Sequence, residues 1–136
     1  MENSLIIYPG FAVVCLTFLL YTKNRIEVGK AFSEKSIKGS YLKFYQDKPP
    51  EHVEISRQTL KNQFELPVLF YFLVTLLYVK GSISQLDLIL AWIFAVSRFI
   101  HAYIRLSSNY VPNRAKMFIV GLIALLAGWI NLIIGL

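Results

Sequence analysis

The chain has 136 residues, of which 56% are hydrophobic and only 16% charged, against roughly a quarter in ordinary soluble domains. With a mean hydropathy of +0.54 this is the composition of an integral membrane protein, long enough for one compact unit over residues 1–136, and no nucleic-acid partner is expected. The lone cysteine, Cys15, excludes a disulfide within the chain and supports no metal cluster, and the net charge of +6 is gathered between apolar runs.

Residues 4–22 carry no charge and are about long enough to cross a bilayer. No basic residue precedes this run, whereas Lys23 and Arg25 follow it, the order of a retained helix with its N-terminus outside rather than of a cleaved signal peptide. Residues 23–61 form the long polar segment, with nine basic residues (Lys23, Arg25, Lys30, Lys35, Lys38, Lys43, Lys48, Arg57, Lys61) against five acidic ones. It reads as a cytoplasmic loop near anionic headgroups. Helix one extends into it as far as about Phe32, Lys48-Pro49-Pro50 makes a turn, and a helical lead-in starts at Glu51.

The second apolar run, residues 64–79, is rich in aromatics, with Asn62 and Glu65 one turn apart at its polar edge. The short connection Lys80-Gly81-Ser82-Ile83-Ser84 predicts that spans two and three are antiparallel neighbours. The third run, 86–106, has Asp87 near its start and Arg98, His101 and Arg105 in its second half. The fourth, 117–136, presents Gly121, Ala124 and Gly128 as a small-residue face suited to close helix packing. Basic residues lie almost entirely in the 23–61 and 105–116 connections, with only Lys80 opposite. Both connections are therefore expected in the cytoplasm and both termini outside, which makes an all-α, up-down bundle of four membrane helices.

Arg98, His101 and Arg105 are spaced i, i+3, i+7 and so share one helix face. Charged groups on a membrane helix must face protein or water, so this stripe is the first candidate for function. Arg114 begins the fourth span after Pro112-Asn113, at a helix N-terminus where an anion is favoured and an arginine is not. Topology brings Asn62, Glu65, Arg98, His101, Arg105 and Arg114 to one depth, and one glutamate cannot neutralise three arginines. The surplus suits a small anionic molecule held beside an apolar surface. A structural alternative is compatible with the same spacing: Glu65 and Arg98 as an interhelical ion pair, and Arg114 as a headgroup anchor.

Two blocks resemble the membrane-associated proteins in eicosanoid and glutathione metabolism, a family that includes microsomal glutathione transferases and prostaglandin E synthase. Lys61-Asn62-Gln63-Phe64-Glu65 is similar to the family's Asn-x-x-Glu. Arg98-x-x-His101 followed by Val111-Pro112-Asn113-Arg114-Ala115 is similar to its Arg-x-x-His and Pro-x-Arg. The resemblance implies a homotrimer that binds glutathione between subunits near the cytoplasmic side and acts as a transferase or peroxidase on a lipophilic electrophile from the bilayer. In that light Arg114 stabilises the thiolate. Asn62, Glu65, His101, Arg98, Arg105 and Lys61 bind the tripeptide, with Arg25 a more distant candidate. Departures stand at Gln58-Thr59-Leu60-Lys61, where the family carries an Arg-Ala-His-type run, at Arg105 in place of a tyrosine, and at Ala115 in place of a serine. They point away from prostaglandin chemistry and towards the bacterial branch, in a bacterial inner membrane. Two other classes remain compatible with the residues: a non-catalytic membrane protein binding an anionic lipid or metabolite in the same pocket, and a purely structural membrane subunit.

Overall fold

The computed structural model describes residues 1–136 and is built from helices alone. Four helical segments, Asn3–Ser33, Glu51–Lys80, Gln85–Leu106 and Val111–Ile134, are long and apolar enough to cross a membrane. A 3-10 turn over Asn3–Ile6 leads into α1 (Ile7–Ser33). Helix α1 outlasts its apolar run by three turns because its polar extension finds partners. Lys23 reaches Glu27 at 2.6 Å along the same face, and His52 Nδ1 meets the other Glu27 oxygen at 2.5 Å from α3 (Glu51–Lys61). Between them a short helix, α2 (Gly39–Phe44), closes this basic end over a small core of Ala31, Ile37, Tyr41 and Val53.

The polar α3 and the apolar α4 (Leu66–Lys80) would be one helix but for Pro67. Proline has no N–H to give the carbonyl four residues back, here that of Gln63, and its ring clashes with that carbonyl. The chain answers with a 3-10 turn over Asn62–Phe64 and an i−3 bond from the Val68 N–H to the Glu65 carbonyl at 3.2 Å. Gly81, at φ +80°, then ends α4 in the left-handed conformation that only glycine adopts freely. Ser84 and Asp87 form a capping box at the start of α5 (Gln85–Leu106). The Asp87 N–H donates to Ser84 Oγ at 3.1 Å, the Ser84 N–H donates to Asp87 Oδ2 at 2.8 Å, and Asn131 of α6 (Val111–Ile134) donates to Asp87 Oδ1 at 2.6 Å. That set of bonds is why a carboxylate can be buried at the helix start.

The expected neighbour relation of spans two and three is corrected by the packing. Helix α4 lies against α1 and α6, and α5 lies against α6 and α1, so α4 and α5 face each other across the bundle's diagonal. Size decides this. Phe70 of α4 and Phe94 of α5 stack in the centre with ring centroids 4.3 Å apart, holding their backbones away from each other. Small residues serve the adjacent pairs instead. A Cβ on Gly10 would touch Val74 at 3.2 Å, one on Gly128 would meet Leu73 at 2.8 Å, and one on Gly121 would meet Ser97 Oγ at 2.6 Å. The outer surface is apolar, with Phe11, Phe18, Phe72, Val79 and Ile133 all more than half exposed, which is the surface of a protein solvated by lipid.

Gly121→Ala should therefore lower stability by about 1–2 kcal/mol, since the clash with Ser97 exceeds the gain in helix propensity. Gly128→Ala should be milder because a terminal Leu73 methyl can move aside. Thermal unfolding in detergent checks the order of the two, and Ser97→Ala should restore most of what Gly121→Ala loses.

Candidate functional site

The stripe on α5 is drawn into the protein. Arg98 is 2% exposed and His101 4%, while Arg105 is half-buried. Arg98 makes no ion pair, and its Nε and Nη1 are buried without a hydrogen-bond partner. Glu65 is exposed, so within one protomer the Glu65–Arg98 pair admitted by the structural alternative does not form. An isolated guanidinium is costly to bury, and its free N–H groups require an acceptor from a ligand, water or another subunit.

His101 sits against Phe118 of α6, with ring centroids 6.2 Å apart. One turn further along, the Arg105 Nη2 donates to Gln58 Oε1 of α3, and Gln58 in turn donates to Glu54 Oε1 at 2.6 Å. This relay fixes one edge of the Arg105 guanidinium and leaves its Nε buried and without a partner.

Arg114 is held by the loop before α6. The Asn109 backbone sits at φ +50°, and its N–H bonds the Ile104 carbonyl at 2.7 Å, which stops α5. Asparagine tolerates that left-handed conformation better than other residues with a Cβ. Its side-chain oxygen then accepts a 2.6 Å hydrogen bond from Arg114 Nη1. A guanidinium at a helix N-terminus is thereby oriented by a neutral partner that leaves its charge uncompensated.

These groups line two adjoining hollows that share Asn62 and Arg105. One, of about 280 Å³, is wholly polar and is walled by Glu54, Arg57, Gln58, Lys61, Asn62, Glu65 and Arg105. The other, of about 340 Å³, collects Asn62, His101, Arg105 and Arg114 on one side and Ala115, Phe118 and Ile119 on the other. Lys61, Asn62, Glu65, His101, Arg105 and Arg114 are thus brought together. Arg98 lies one turn below on the same α5 face, without lining either hollow. Arg25 lies apart, in a cavity between α1, α2 and α3. Charge motifs alone overlook Gln58 and Asn109, which are neutral. Their signals are present in the sequence all the same: Gln58 precedes Asn62 and Glu65 by four and seven residues on one helical face, and Asn109 stands in a polar turn just before a proline.

The sequence model of the MAPEG family matches residues 6–134, nearly the whole chain. No curated protein and no solved structure matches.

The loop and the side chain of Asn109 are separable. Asn109→Ala should cost about 1 kcal/mol by placing an ordinary Cβ residue at φ +50°, whereas Asn109→Gly should unfold within a few tenths of a kcal/mol of wild type. Equal losses in the two variants, read by thermal unfolding, would show that the acceptor and not the backbone carries the stability.

Proposed function

Because the chain belongs to the MAPEG family, we propose that it is a membrane-bound glutathione transferase-like enzyme. In this proposal a homotrimer in a bacterial inner membrane, with both termini outside, forms a glutathione thiolate that attacks a lipophilic electrophile arriving through the bilayer. One observation carries the proposal: the unpaired cations Arg105 and Arg114 meet Asn62 and His101 in a hollow whose other wall is apolar. Glutathione offers two carboxylates, one ammonium and one thiol. The cations suit the carboxylates and the thiolate, and Glu65 in the adjoining hollow suits the ammonium.

The chemistry asked of the protein is small. A thiol near its ordinary pKa of about 8.5 is mostly protonated at neutral pH, and a fixed cation beside the sulfur stabilises the anion. Arg114, oriented by Asn109, is the residue assigned that task, and the thiol proton leaves to solvent. The thiolate sulfur bonds to the electrophilic carbon, and the leaving group departs with its electron pair. Phe118 and Ile119 form the apolar wall along which such a substrate is expected to lie.

A second reading, a non-catalytic protein that binds an anionic lipid or metabolite in these hollows, is supported by the cation surplus and by Arg105 standing where the family has a tyrosine. Conjugation of a chlorinated nitrobenzene with glutathione separates the two, because only the enzyme should accelerate it.

On mixing with glutathione at neutral pH, the wild-type protein should develop the ultraviolet absorbance of a thiolate. Arg114→Ala should develop it only as the pH rises towards about 8.5, the ordinary thiol range. An equal signal from both proteins would remove Arg114 from the assignment. Glu65→Gln should weaken glutathione binding by about tenfold or more while leaving the saturating thiolate signal intact, consistent with the loss of one charge-assisted bond.

A further inference from the structure

A cavity of about 320 Å³ adjoins the polar hollow, sharing Arg57 with it, and opens between the extension of α1, the short α2 and the second half of α3. Tyr21, Asn24, Arg25 and Val28 face it from α1, at i, i+3, i+4 and i+7, so one helical face is dedicated to it. Tyr41, Leu42 and Tyr45 come from α2 and its end, and Arg57 and Leu60 from α3. Two arginines line the cavity and no carboxylate does. Arg25 makes no ion pair, and Arg57 approaches Glu54 only at 3.8 Å.

Three of the lining side chains contact one another. The Arg57 guanidinium lies 5.0 Å from the centroid of the Tyr45 ring, and Tyr45 stands edge-on to Tyr41 at 5.6 Å. Tyr45 ends α2 in the left-handed conformation, at φ +53°, and remains largely exposed. The Tyr41 hydroxyl is buried and has no hydrogen-bond partner, in a side chain only 3% exposed. Burial pushes that phenol above its usual range, opposed by the nearby Arg57. Tyr21 and Thr22 end the uncharged run of α1 and Lys23 begins the polar segment, so the cavity lies at the level where a bilayer has its headgroups.

We propose that this cavity is a second binding site, for a phosphate-bearing anion held by Arg25 and Arg57, with Tyr21, Val28, Leu42 and Leu60 as its apolar lining. The cations give the charge complementarity, and the aromatic and aliphatic walls suit the glycerol and upper acyl portion of an anionic lipid. A soluble phosphate carries the same recognising group and is distinguished from the lipid by experiment. The site adjoins the polar hollow through Arg57, which borders both, and is distinguished from it through Arg25, which borders neither hollow.

The test uses the full chain in nanodiscs of phosphatidylcholine with a minor fraction of phosphatidylglycerol, with lipid retention read by native mass spectrometry. Inorganic phosphate is titrated separately by calorimetry in zwitterionic detergent. Retention of phosphatidylglycerol without phosphate binding identifies a lipid site, and phosphate binding identifies a site for soluble esters. In either case Arg25→Gln should weaken binding by about tenfold, with Tyr45→Gly also weaker. Arg25→Lys, which keeps the charge and the fold but loses the planar fork, should fall between wild type and Arg25→Gln. Lys48→Gln removes the same charge from the same segment outside the cavity and should bind as wild type does. Binding of neither probe, or an equal loss in Lys48→Gln and Arg25→Gln, overturns the proposal.

Discussion

The buried guanidinium of Arg98 is the constraint around which the basic end of the bundle is arranged. A cation at that depth needs either a carboxylate or a wet, polar neighbourhood, and the protomer supplies no carboxylate within ion-pair distance. Above it the polar groups accumulate on one face of α5, first His101 and then Arg105, and the helices around that face change character. The helix beside it is amphipathic α3 instead of apolar α4, and the turn beyond it is polar. The polar face of α5 therefore starts at Arg98 and reaches the hollows at His101 and Arg105, while the opposite end of the molecule is closed by one satisfied cluster of Ser84, Asp87 and Asn131.

Proline and glycine do much of the positioning. Pro67 breaks what would be a single helix from Glu51 to Lys80, and the 3-10 turn it forces carries Asn62. Asn62 consequently borders both hollows, beside Arg105 in each. Glycines on α6 let α5 and α4 approach that helix on two sides, so α6, like α1, joins the diagonal pair.

Much of this was legible in the sequence, and the divide between what was and what was not is physical. Four apolar runs and the asymmetry of basic residues depend only on transfer energies, which are local and additive, so the spans and the shared depth of Asn62, Glu65, His101 and Arg114 follow from composition. The order of helices around the bundle depends instead on which side chains meet. A short connection between α4 and α5 suggested contact, but Phe70 and Phe94 set the distance. The roles of Gln58 and Asn109 were hidden for a related reason. Each acts through a single hydrogen bond to a residue 47 or five positions away, and neutral amides announce no partner. Arg25, grouped by charge with Arg98, Arg105 and Arg114, faces a different cavity between α1, α2 and α3.

The Asp87 cluster has a consequence for the order in which the protein assembles. Helices leave the ribosome in sequence, so α5 meets the bilayer before α6 does. Until then Asp87 has only its own helix end to satisfy it, through the Ser84 N–H and hydroxyl. The second carboxylate oxygen is completed by Asn131, twenty residues into α6, close to the end of the chain. Docking of the last helix is thus registered at its far end by a polar bond and along its length by glycines.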